Sequence, residues 1–103
     1  MEAVTTKTIL ARDNHQCLYC GERAVQRDHL IKTAGARRSV EARRTRELAQ
    51  CQVAACRDCN EAIGTRCFVP PSHVHLIPEL QRITGSVYGV FDGNPATLRR
   101  LLV

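Results

Sequence analysis

Two Cys-x-x-Cys pairs, Cys17-Leu18-Tyr19-Cys20 and Cys56-Arg57-Asp58-Cys59, constrain this chain more than any other feature. That spacing turns two thiolates toward one ion and is a poor geometry for a bridge within the pair. With 103 residues the chain is expected to form a single domain over residues 1–103. An apolar core is thin at this size, so a metal staple is in keeping with it. Met1-Glu2-Ala3-Val4-Thr5-Thr6-Lys7 lacks the basic-then-apolar pattern of a secretory signal. The expectation is therefore a reducing cytosol, with thiols rather than disulfides. Four thiolates from Cys17, Cys20, Cys56 and Cys59 would fill a tetrahedron around zinc and leave no open position, which predicts a structural ion. Cys51 and Cys67 are left over and read as small buried apolar side chains.

Charge narrows the partners. No apolar run approaches the roughly 20 residues needed to span a bilayer, so no membrane role is expected. The formal net charge is +5, and thirteen of the fifteen basic residues are arginine. Arginine forks onto phosphate oxygens, so the surplus suits a polyanion such as DNA. Arg37, Arg38, Arg43, Arg44 and Arg46 fall together within residues 37–47, where good helix formers predict a short helix with a basic face. Such a face is either a phosphate-contact surface or simply a solvated one.

Periodicity predicts the frame around these features. A short helix is expected over residues 5–13, burying Ile9 and Leu10, and a strand over 24–31 with Val25, Leu30 and Ile31 as apolar members. Lys32–Ala36 reads as loop and 48–55 as a returning strand. The result is a hairpin with a long basic tip, followed by a helical turn over Asn60–Gly64. Beyond Pro70-Pro71, a helix over 73–83 is expected, with Ser72 as its cap or with its start at Pro78. A strand within 85–93 and a closing helix over 96–102, announced by Asn94-Pro95, complete the chain. Knuckle, hairpin and helix in that order predict an α+β domain, a small zinc-stabilised treble clef or ββα-metal fold with flanking helices.

Within this frame the order Cys17-x-x-Cys20-Gly21, Asp28-His29, Ala55-Cys56-Arg57-Asp58-Cys59-Asn60 resembles the HNH endonuclease family, in the zinc-stapled, endonuclease VII-like branch found in phages and prophages. The likeness covers residues 12–66, and 67–103 is expected to pack on that part as a C-terminal extension. The resemblance implies a DNA endonuclease that nicks phosphodiester bonds with little sequence specificity. It makes Asp28 and Asn60 the protein ligands of a catalytic Mg²⁺ or Mn²⁺, and His29 the general base. It also implies a central asparagine nine residues before the second ligand, where this chain has Cys51.

The chemistry is consistent on its own terms. Oxygen ligands suit a hard divalent ion, and an ordinary imidazole, with a pKa near 6.5, can accept a proton at neutral pH. Each piece also has a plainer reading: Asn60 could merely cap a helix, and Asp28-His29 could be incidental. His15, His73 and His75 read as surface or core histidines. The sequence leaves open a non-catalytic zinc module that binds DNA or protein, or an accessory of phage DNA packaging that acts only with a partner. A homodimer is among the assemblies that would allow both strands to be cut.

Overall fold

Thr5 opens the first helix of the computed structural model, which describes residues 4–96. Its side chain accepts from the Thr8 N–H while the Thr8 hydroxyl oxygen accepts from the Thr5 N–H, so two orphan donors of helix α1 (Thr6–Arg12) are satisfied reciprocally. Ile9 is its buried residue. The chain leaves α1 through Asn14 and His15, both at φ 56°, and enters the first cysteine pair. There the Cys17 N–H donates to the Glu22 carbonyl at 2.7 Å and the Gly21 N–H to the Cys17 carbonyl at 2.8 Å. This tight ring needs the left-handed backbone that Gly21 supplies at φ 84°.

Strand β1 (Gln26–His29) pairs antiparallel with β2 (Gln52–Ala55), with Gln26 opposite Ala55 and His29 opposite Gln52. Between them run α2 (Thr33–Ala36), α3 (Val40–Arg46, capped by Ser39) and a 3-10 turn over Ala49–Cys51. Helix α4 (Arg57–Ile63) follows β2 directly. Beyond it, β3 (Phe68–Val69) pairs parallel with β4 (Gly89–Val90), and a 3-10 turn (Pro71–Leu76) and α5 (Ile77–Thr84) connect them. The core gathers Ile9, Leu30, Ile31, Val53, Ile63, Val69, Leu80 and Phe91. Side chains of this size contribute about 1.5–3 kcal/mol each when fully buried.

Several expectations are corrected. Residues 33–36 are helical rather than loop: Gly35 lets α2 approach α5, since a Cβ there would stand 3.2 Å from Thr84 Cγ2. The returning strand is confined to Gln52–Ala55, because Cys51 ends a 3-10 turn. Val25 precedes β1 and is exposed rather than a member of the strand. Helix α4 starts at Arg57 and not at Asn60. The helix after Pro70-Pro71 begins at Ile77, with Pro78 in its first turn, where no backbone N–H is missed. The strand within 85–93 shrinks to two residues. Asn94 Oδ1 accepts from the Ala96 N–H at 2.9 Å, the expected cap, and the closing helix expected over 96–102 lies, but for its first residue, outside the described residues.

Among the described residues, the segment after α4 contacts the part that bears the motifs. The Tyr88 hydroxyl donates to the Leu30 carbonyl at 2.7 Å, and the Phe91 ring lies 5.7 Å from that of Tyr19. Gly93, at φ 86°, lies so close to the first knuckle that a Cβ there would stand 2.8 Å from Cys20 Cα. Among the described residues no helix is long and apolar enough to cross a membrane.

Candidate functional site

Cys17, Cys20, Cys56 and Cys59 converge although the pairs belong to different elements. Their sulfurs all lie within 4.8 Å of one another, and Cys20 Sγ stands 3.6 Å from Cys56 Sγ. A tetrahedron with metal–sulfur bonds of about 2.3 Å has edges of about 3.8 Å, so the four are arranged to hold a metal ion, and the all-sulfur set suits zinc. None of the six cysteines is bridged. Cys56 is the N-cap of α4, its sulfur accepting from the Cys59 N–H at 3.3 Å. Burial pushes the Cys20 and Cys59 thiols up, and for Cys59 the neighbouring sulfurs add to this. Burial also opposes ionisation of Cys17, but hydrogen bonds from the backbone of Cys56, Cys20 and Tyr19 outweigh it and bring that thiol below its ordinary value. Crowded thiols of this kind exchange protons for a cation when one binds.

The centre is tied to the hairpin by polar bonds. The Leu18 N–H donates to the Ala54 carbonyl at 3.0 Å. From α1, Arg12 donates to the carbonyls of Ala49 at 2.7 Å and Gln52 at 2.6 Å, and Asp13 accepts from the Ala54 N–H at 2.9 Å. Burial raises the Asp13 carboxyl, but the Arg12 guanidinium and the Ala54 amide more than offset this and hold it below its usual range.

Asp28, His29 and Asn60 line one cleft of about 250 Å³, together with Arg27, Lys32, Thr33, Arg46, Gly64 and Thr65. β1 contributes Asp28 and His29, and α4 contributes Asn60 from its second turn. Cys56 occupies the cap position, so Asn60 is not the helix cap. The Asn60 amide nitrogen donates to Gln26 Oε1 at 2.7 Å, so the oxygen is the atom of this side chain that could ligate a cation. Asp28 is 3% exposed, and both its oxygens are engaged: the Tyr19 hydroxyl donates to one at 2.5 Å and the Lys32 ammonium pairs with the other. Burial, then Arg46 and Arg27, pull the His29 imidazolium down, against a smaller opposing pull from Glu47 and Asp28. At neutral pH the ring is accordingly a neutral proton acceptor. In donor chemistry, Asp28 and Asn60 oxygens fit a hard divalent cation, on the condition that Lys32 yields the carboxylate.

No family model, curated protein or solved structure matches the chain.

The five arginines divide. Arg37, Arg43 and Arg46 line a groove of about 370 Å³ between α2 and α3, which shares Thr33 and Arg46 with the cleft. Arg46 also donates to the Ile31 carbonyl at 3.0 Å and pairs with Glu47. Arg38 turns away and packs its guanidinium against Gly85 at the end of α5, and Arg44 is exposed on α3. His15 and His75 are exposed and His73 is half-buried, in line with their expected roles.

Three residues were not singled out by sequence. Tyr19, within the first cysteine pair, links the four-cysteine cluster to Asp28; burial and the Asp28 charge keep its hydroxyl protonated, hence a donor. Lys32 enters the cleft because it stands four residues after Asp28 and faces it across the end of β1. Gln52 is fully buried: its oxygen accepts from Arg27 at 3.0 Å, and its nitrogen donates to the Glu47 carbonyl at 3.0 Å. It is thus a side-chain amide pinning the connection between β1 and β2, one position beyond Cys51. Gln52 is the one polar residue in the run Gln52-Val53-Ala54-Ala55, and that was the available signal.

Proposed function

We propose that this chain is a zinc-stabilised treble clef of the HNH type that hydrolyses DNA phosphodiester bonds. The observation that carries the reading is the convergence of Asp28, His29 and Asn60, from two elements, in one cleft walled by Arg27 and Arg46. Cys17, Cys20, Cys56 and Cys59 would hold structural zinc, which fixes the start of α4 against the hairpin. Asp28 and Asn60 would hold Mg²⁺ or Mn²⁺. Such an ion offsets charge that grows on the phosphate and the leaving oxygen. His29 takes the proton of the attacking water, and its depressed basicity leaves it unprotonated for that task at neutral pH. Arg27 and Arg46 lie where a scissile phosphate would sit. Arg37 and Arg43 continue the positive track along the adjoining groove and would hold a flanking phosphate.

The test is nicking of supercoiled plasmid by the zinc-loaded protein with Mg²⁺, Mn²⁺ or EDTA, with His29→Ala alongside. The reading requires nicks with metal, none with EDTA, and none from His29→Ala at unchanged zinc content. A second reading has its own observation: the Asp28 carboxylate is already satisfied by Tyr19 and Lys32, as in a structural ion pair. A zinc module that binds DNA without cutting would retard DNA in a gel regardless of Mg²⁺, with wild type and His29→Ala equally inert toward plasmid. A partner-dependent accessory would be inert alone and cut only when the partner is supplied.

A further inference from the structure

Resting on the assignment of Asp28 and Asn60 as ligands of a divalent ion, we propose that Lys32 is a built-in competitor for that ion, so that the cleft takes up metal together with a nucleic-acid phosphate rather than before it. The Lys32 side chain is 12% exposed and that of Asp28 3%, so their pairing is largely removed from water. The second Asp28 oxygen belongs to Tyr19, which donates and cannot neutralise. A divalent ion reaching Asp28 must therefore displace the ammonium. The displaced charge then faces Arg27 and Arg46 in the same cleft, with Glu47 as the nearest compensation through its pair with Arg46. Adding two positive charges beside three cations is unfavourable in a partly desolvated cleft. A phosphate removes the conflict: the ammonium moves from the carboxylate to a phosphate oxygen, and the metal takes the carboxylate. Lys32 acts here as a positioning residue that couples metal and substrate binding, with no covalent step of its own.

Mn²⁺ binding to zinc-loaded protein, followed by electron paramagnetic resonance, tests this apart from activity. Lys32→Met should bind free Mn²⁺ at least about tenfold more tightly than wild type, because the competing charge is gone. Lys32→Arg keeps the charge and should bind as weakly as wild type. Asp28→Asn placed on Lys32→Met should abolish the gain. A short DNA duplex should tighten Mn²⁺ binding more in wild type than in Lys32→Met. Lys32→Met leaves Asp28 buried without a cation, so its melting temperature should fall in metal-free buffer and recover with Mn²⁺; a melting temperature indifferent to Mn²⁺ would overturn the proposal. Equal Mn²⁺ affinity in wild type and Lys32→Met, while wild type still nicks plasmid and His29→Ala does not, would sink the competitor and leave the nuclease standing. No Mn²⁺ binding in any variant, with no metal-dependent nicking, would remove both.

Discussion

Replacing Gln52 by methionine keeps the buried volume nearly constant and removes the amide that pins the connection between β1 and β2. Two good hydrogen bonds go with it: the one accepted from the Arg27 guanidinium and the one donated to the Glu47 carbonyl, both 3.0 Å. A bond to a charged group contributes about 1.5–3 kcal/mol and a neutral one about 0.5–1.5 kcal/mol. Arg27 is only half-buried and can recover some hydration, so the loss is expected near the lower end, about 2–3 kcal/mol. For a domain of this size each kcal/mol moves the melting temperature by about 4–8 °C. Urea denaturation with zinc in excess measures the loss, and hydrogen exchange should show faster opening of the amides at residues 46–52. Cys51→Ala is the contrast: it removes a buried sulfur that makes no side-chain hydrogen bond in the described structure and should cost about 1 kcal/mol. If Gln52→Met stays within about 0.5 kcal/mol of wild type, or costs no more than Cys51→Ala, the amide does not hold this connection.

Elemental analysis should find one zinc per chain; Cys56→Ser should lose it together with cooperative unfolding, whereas Cys51→Ser should keep it, and retention by Cys56→Ser would refute the four-sulfur centre. In DNA-binding titrations, Arg43→Ala should lower the slope of log affinity against log salt by about 0.9 for a single lost phosphate contact. Arg38→Ala should leave that slope unchanged, since its guanidinium lies against Gly85; equal slopes for the two variants would contradict this division. Burial, then Cys67, raises the Tyr88 hydroxyl above its ordinary value, so its stabilising contribution is full below the unfolded pKa of about 10 and is lost as pH rises through the folded one. The stability gap between wild type and Tyr88→Phe should therefore narrow above pH about 10, and a constant gap up to pH about 11 would refute the linkage.

The cysteine pairs, the antiparallel hairpin and the first helix were legible in the sequence because each is a local rule. Thiolate spacing, strand alternation and helical periodicity act over a few residues. Asp28, His29 and Asn60 were singled out through the family resemblance, which also implies that they share one site. The geometry of their meeting was not legible, since it depends on α4 starting at Arg57 rather than Asn60 and on the register that sets His29 opposite Gln52. Tertiary structure alone decided who neutralises Asp28, which amide holds the connection, and which arginines face the groove. Those outcomes depend on long-range approach: Tyr19 reaches β1 from the first cysteine pair, Gln52 bonds Arg27 across the strand pair, and the Arg38 guanidinium lies against Gly85 at the end of α5. Composition named a basic, cysteine-stapled domain; packing chose which charges meet, because a buried charge must find its partner wherever the chain brings one within reach.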